Sequence, residues 1–390
     1  MNLFDDIVRS DDSQKRQGES LFRFYNRTSR RAFQPYRDLV HKWLNEMPPS
    51  ATVALTGQMR TDDDLHYSTG LCEVVTHASL RRLGFDVEVH PVLKSNANRP
   101  DFCVTTDGQK LAYVEVTTIN PPRDEIASDR REAQIYDRLN QLSIPDDLRL
   151  GYDVLVYGLS SPSLARLAAE AGRWVLANAD AARRKEEVQG VFEAGDWKIQ
   201  LHLFGGFRAR AGGPRIAISS GEAFSRDIFE AGNTLAAAAN RKATRYGDLD
   251  LPFVIVLFDR TETVAIMSSD FAESVADGLF GPEITEHVAH RDGGFELRRR
   301  RGDGFWVRGG RPDHTGVSAV VTFPRDDIWK LREERWQPIM ARNPYAKRPL
   351  PNGILPYREL VINQDEGQIL PGRSAGDILD LPNPWPPADD

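Results

Sequence analysis

Residues 99–117 read RPDFCVTTDGQKLAYVEVT. Two runs rich in β-branched and aromatic residues, about 101–106 and 111–119, flank Asp107-Gly108, the strongest short-range signal for a β-hairpin. Each run carries one acid that matters, Asp101 and Glu115. Register decides whether they meet, because a one-residue slip turns a whole strand face over. A two-residue turn pairs Thr106 with Gln109 and sends the carboxylates to opposite faces. A three-residue loop, Thr106-Asp107-Gly108, pairs Thr105 with Gln109 and sets Asp101 opposite Tyr113 and diagonal to Glu115, on one face with Cys103 and Thr117. The second register gives Phe102, Val104, Ala112, Val114 and Val116 a common apolar face, and it is the expected one. Glu115 within Tyr-Val-Glu-Val-Thr reads as a charge in a central strand, costly unless paired or metal-bound. The plainer alternatives are a strand-entry turn residue for Asp101 and an edge-strand surface charge for Glu115.

Upstream, Leu71, Val74, Val75 and Ala78 recur at helical spacing after Thr69-Gly70, predicting a helix over about 70–83 that stops at Gly84, then a strand over 85–92. An acid at Glu73, in the expected first helical turn, is also favoured by the helix dipole alone. Downstream come a polar helix over 124–142, a strand over 152–157, a helix over 162–177, strands over 197–204 and 215–219, and a helix around Leu235–Ala239. Apolar strands over 253–258 and 317–323 follow, with a further helix over 35–45 near the start. This alternation argues for an α/β layered fold. The expected division is an N-terminal helical, basic-aromatic extension (1–60), an α/β core (61–260), a β-rich extension with an Arg cluster (261–342) and a Pro-rich tail (343–390) that wraps the domain.

The segment Arg99-Pro100-Asp101, then Glu115-Val116-Thr117, with Glu73 on the preceding helix, resembles the PD-(D/E)xK nuclease superfamily. That resemblance implies a restriction-endonuclease-like core of helix, three strands, helix and strand. It further implies a Mg²⁺ (or Mn²⁺) ion held by Asp101, Glu115 and the Val116 carbonyl with help from Glu73, and hydrolysis of phosphodiester bonds by a metal-dependent endonuclease. The chemistry is intelligible: carboxylate oxygens suit a hard cation that polarises phosphate and acidifies water. Thr117 stands where the motif has Lys, and a hydroxyl carries no charge. A lysine from elsewhere would have to serve, with Lys94, Lys110 and Lys242 as candidates; otherwise the core is a degenerate nuclease fold acting as a nucleic-acid or protein-binding module. The stretches RKATRYGDLDLPFVIVLFD, HTGVSAVVTF and ARNPYAKRPLP resemble a family of uncharacterised bacterial proteins carrying such a core, implying one unit with its C-terminal extension and a role in bacterial nucleic-acid defence or repair.

The 390 residues hold 50 Lys and Arg against 57 Asp and Glu, a formal charge of −7, which excludes a globally basic nucleic-acid coat. Basic residues gather locally instead. Arg298, Arg299, Arg300 and Arg301 with Trp306 form the sharpest patch, where guanidinium groups contact phosphates and an indole stacks on bases; a solvated hairpin edge paired with acids is the equal alternative. Arg131, Gln134 and Arg138 share one face of the helix over 124–142 and are expected to line a cleft with Lys242. Expected partners are therefore nucleic acid, DNA first and RNA second; a homodimer is one compatible assembly, and a partner docked on the Pro-rich tail is a third reading.

No apolar run approaches the roughly 20 residues that a bilayer requires, and the acidic start lacks a secretory signal. Cys72 and Cys103 make neither a disulfide framework nor a metal knuckle, so buried thiols in a cytoplasmic protein are expected. His287 and His290 are expected on a surface helix. No HExxH, GxSxG or Walker sequence is present.

Overall fold

The computed structural model describes residues 2–93, 97–121, 123–186, 188–206, 228–261, 268–289, 295–363 and 366–387. The chain divides into two compact units interleaved in sequence: Met1–Val8, Ser29–Asn120 and Ser225–Asp390 form the first, Arg9–Thr28 and Pro121–Phe224 the second.

The first unit is built on a mixed eight-stranded sheet, in spatial order Asp86–Val89, Phe102–Thr106, Gln109–Ile119, Phe253–Asp259, Ala319–Phe323, Ile339–Arg342, Arg358–Asn363 and Glu366–Leu370. Gln109–Ile119, Phe253–Asp259 and Ala319–Phe323 run parallel to one another. Parallel strands buried on both faces read as continuous apolar runs, and Phe253–Asp259 (FVIVLFD) is buried along its whole length. The sheet thus crosses the boundaries expected near residues 260 and 342. The Pro-rich region does more than wrap, since it supplies the last two strands, and Trp385 near its end donates from Nε1 to the Ile328 carbonyl.

Helices cover both faces. The helix Asp64–Arg82 starts where the Asp63 carboxylate accepts from the Leu65 N–H, and ends with Arg81 and Arg82 in its last turn, where the dipole favours cations. Its Thr76 and Leu80 close over the face bearing Val114, Val256 and Val321, and His77 meets the Phe102 ring at 5.9 Å. The opposite face, with Cys103, Tyr113, Ile255 and Leu257, shares a core with Leu235, Ala238 and Ala239 of the helix Ile228–Ala243. Both cysteines are free and buried, as expected.

The decisive hairpin follows neither expected register along its whole length: the three-residue loop is not formed, and Cys103, not Asp101, comes to lie opposite Tyr113. Its turn is the two-residue one: Thr106 pairs with Gln109, and Asp107 and Gly108 both take positive φ, 49° and 75°, as a type I′ turn demands. The register then shifts between Val104 and Thr105, leaving Leu111 as the extra residue of a β-bulge. Beyond the bulge Cys103 pairs with Tyr113 and Phe102 with Val114. The bulge restores the parity that the turn would have lost, and Asp101 and Glu115 fall on one face.

The second unit has its own antiparallel sheet, in order Leu148–Val156, Trp197–Gly205 and Val188–Ala194. The helices Leu164–Arg183 and Arg123–Asn140 pack on one side of it around Leu167, Val175, Trp197 and Ile199. Asp137 of the second helix accepts from the Gln17 and Gly18 backbone N–H groups at 2.8 Å each, which ties the 9–28 segment to the unit. The polar helix expected to complete the nuclease-like core therefore belongs here, and Ile228–Ala243 packs on the large sheet instead. The strand expected over 215–219 lies outside the described residues. His287 sits on a strand, Glu283–Ala289, rather than a helix, because this segment pairs with Phe295–Arg301; His290 lies outside the described residues. Among the described residues no helix is long and apolar enough to cross a membrane.

Candidate functional site

Glu115 is completely buried, a charge in the middle of a central strand. Burying a carboxylate costs several kcal/mol unless its oxygens find partners. Here both do. Oε1 lies 2.5 Å from the Lys242 ammonium and 3.5 Å from the Arg245 guanidinium. Oε2 accepts from the Tyr246 hydroxyl at 2.5 Å and from the Asp101 backbone N–H at 3.3 Å. Lys242 lies in the last turn of the helix Ile228–Ala243, and Arg245 and Tyr246 follow just past its end, where the Arg245 N–H still donates to the Lys242 carbonyl at 3.2 Å.

Asp101 stands just before the strand Phe102–Thr106, where the second strand stops and the third runs on. The Val116 N–H at that point has lost its neighbouring strand, and Asp101 Oδ2 accepts from it at 2.7 Å. The side chain thus replaces a missing ladder bond, while its other oxygen has no partner among the described residues. A strand residue directs its N–H and C=O to the same side, so the Val116 carbonyl faces the same notch.

Glu73 reaches the notch from the helix Asp64–Arg82. It is the tenth residue of that helix, well past the first turn, so the helix dipole does not account for it. Its carboxylate has no hydrogen-bond or ion-pair partner among the described residues. Burial, then the charges of Asp101 and Glu115, push its pKa up to about 8, against an easing effect of Lys242. Asp101 is pushed up to about 7 by burial first and the Glu115 charge second. Three carboxylates crowd around a limited supply of positive charge.

These groups line a cleft of about 750 Å³ that also takes in Val116, Thr117 and Arg245. Gly57, Gln58 and His66, from the helices Pro49–Met59 and Asp64–Arg82, also line it. Thr117 is nearly buried on the Glu115 face. Of the lysines considered as substitutes for the motif residue, Lys242 is at the site; Lys110 pairs with Glu88 at 2.7 Å on the exposed first strand, and Lys94 lies outside the described residues. Tyr246 and Arg245 went unnoticed in the sequence. Their signal is the i, i+3, i+4 cluster just ahead of the most apolar strand of the chain.

The other expected nucleic-acid contacts are not gathered here. Trp306 is wholly buried, its ring edge-on to Phe280 at 4.9 Å, so it belongs to the core and offers no face to a base. Arg301 is engaged by Asp277 at 3.2 Å and the Gly281 carbonyl at 2.8 Å, which makes it an anchor of its own hairpin. Arg300 is exposed, and the register sets Arg298 opposite Glu286 and Arg299 opposite Thr285; the side chains of Arg298 and Arg299 lie outside the described residues. Arg131 and Gln134 sit on the helix Arg123–Asn140 of the second unit, Gln134 exposed and Arg131 half-buried.

Comparison with known proteins gives no match: no family model, no curated protein and no solved structure is similar to this chain.

Proposed function

We propose that the first unit is a restriction-endonuclease-like core and that the protein is a metal-dependent nuclease hydrolysing phosphodiester bonds of DNA, or secondarily RNA. The observation that carries the proposal is the arrangement around Glu115: Asp101 on the same face, an ammonium on Oε1, and both at a cleft large enough for part of a nucleic-acid strand. Lys242 supplies the positive charge that Thr117 lacks, from the helix that precedes the fourth strand.

The donor chemistry fits a hard, hydrated divalent cation, Mg²⁺ or Mn²⁺. Such ions need only one or two protein carboxylates and keep several waters. Asp101 and Glu73 each leave carboxylate oxygen unpartnered among the described residues, and burial first, then the repulsion among the carboxylates, pushes both upward, a setting that a bound cation would relieve. Asp101, Glu73 and Glu115 would hold the ion, with the Val116 carbonyl beside them. When bound, it supplies Lewis-acid polarisation of a phosphoryl oxygen and acidifies water at the site. The chain's own residues do the rest. Tyr246 fixes the rotamer of Glu115, Lys242 offers positive charge to the phosphorane that develops in the transition state, and Arg245, nearly half exposed, grips a neighbouring phosphate.

Two observations favour a second reading, a nuclease fold that binds without cutting. Both Glu115 oxygens are already engaged, and among the described residues no group of three His, Cys, Asp or Glu side chains is arranged to hold a metal. A cleavage assay separates the two. Plasmid, single-stranded DNA and RNA are incubated with the full chain in Mg²⁺ or Mn²⁺, beside Asp101→Ala and Glu115→Ala. The nuclease reading expects cleavage by the wild type and a loss of at least about 100-fold in each variant. No cleavage under either metal, with binding retained by both variants, selects the second reading.

A further inference from the structure

We infer that Lys242 is an exchangeable counter-ion: its ammonium holds the cation position of the carboxylate notch in the metal-free protein, and a divalent cation displaces it from Glu115 into the cleft. The inference rests on reading the notch as a metal site, and it concerns the order of events there.

The partners of Glu115 differ in kind. Tyr246 is neutral and buried, and its hydroxyl also stands 3.3 Å from the Arg99 carbonyl. Nothing in its chemistry opposes a second cation, so it can hold Oε2 whether or not an ion is present. Lys242 is charged, ends a flexible four-carbon stem, keeps a fifth of its side chain exposed and lines the cleft. An ion seated against Asp101 and Glu73 would meet this ammonium at close range. Like charges a few ångströms apart repel far more strongly at a half-buried site than in water. Of the two cations, the ammonium has somewhere else to go.

The charge balance points the same way. The Lys242 ammonium pairs with Glu115, and its charge also eases Asp101 and Glu73, with Arg245 helping at Asp101, so three carboxylates lean on one close ammonium and one more distant guanidinium. A divalent ion does that work better and makes the ammonium redundant there. Two consequences follow. Oε1 of Glu115 is released as a further oxygen toward the ion, and the ammonium arrives in the cleft where a phosphate would lie. The cation is then the first ligand to bind and the polyanion the second, because Lys242 is free for phosphate only after exchange.

The experiment titrates the full chain with Mn²⁺ alone, following heat and the electron-spin signal of free Mn²⁺, for the wild type, Lys242→Met and Tyr246→Phe. Lys242→Met is expected to bind Mn²⁺ about tenfold tighter than the wild type, since a competing unit charge has been removed. Its melting temperature is expected to be lower without metal and to match the wild type at saturating Mn²⁺. Tyr246→Phe is expected to show no tightening. Equal or weaker Mn²⁺ affinity in Lys242→Met overturns the inference while leaving the metal site standing. If the wild type binds no Mn²⁺, the metal reading itself falls and the inference falls with it. Should Lys242→Met fail to fold, Lys242→Gln, which keeps a donor without the charge, is titrated in its place and read by the same criterion.

Discussion

Glu115 and Ile255 are register partners on neighbouring parallel strands, both fully buried, both facing the helix Ile228–Ala243. One is an aliphatic side chain that fills the core as such strands are meant to. The other is a carboxylate that needs an ammonium and a phenol brought from more than a hundred residues away. Packing alone would have put a second isoleucine there. The difference teaches that the acid at 115 is carried by partners built for it rather than by the packing of the sheet, which is what the proposed metal site would account for.

The comparison breaks most visibly if the charge is moved one strand over. Ile255→Glu lacks any built partner and is expected to cost at least about 4 kcal/mol, enough to unfold much of the protein at ambient temperature, as circular dichroism would show. Second in size is Lys242→Met. Removing one member of a buried pair leaves the other uncompensated, and about 3 kcal/mol of stability should be lost in metal-free buffer, read from the urea midpoint. Tyr246→Phe deletes one hydrogen bond to a charged acceptor and should cost about 1.5 to 3 kcal/mol by the same measurement.

The mildest expected effect is that of pH. Asp101 and Glu73 titrate in the folded protein above their ordinary values of 3.8 and 4.5, so the folded state holds protons that the unfolded chain has released. The stability this contributes is complete below about pH 4 and is lost as the pH rises through about 7 and 8. Metal-free protein should therefore weaken from about pH 5 to about pH 8, with a shallower slope in Asp101→Asn, as denaturant midpoints at several pH values would report.

Much of this contrast was legible in the chain. The strand pair around Asp107-Gly108 follows from turn chemistry, and the shared face of Asp101 and Glu115 from apolar alternation alone. The route to that face did not, because a β-bulge at Leu111 leaves no compositional mark between Lys110 and Ala112. The apolar strand Phe253–Asp259 was plain, yet its place beside Gln109–Ile119 was hidden by the intervening second unit, whose polar helix Arg123–Asn140 follows the third strand in sequence but belongs to a separate core. Lys242 was one lysine among several for the same reason. The helix stops at Ala243, between Lys242 and Tyr246, so spacing along the chain did not reveal that both side chains meet at Glu115. Trp306 misled because a tryptophan beside four arginines reads as a stacking surface, whereas its position after a turn carries it into the core beneath Phe280.

The central claim is that the buried acids at this notch exist to hold a divalent cation. Thermal unfolding of the wild type and of Asp101→Asn, each with chelator and with millimolar Mg²⁺, tests it directly, since an ion that binds only the folded state raises its melting temperature. The expected result is a clear Mg²⁺-dependent rise in the wild type that disappears in Asp101→Asn. No rise in the wild type, or an equal rise in both proteins, would contradict it.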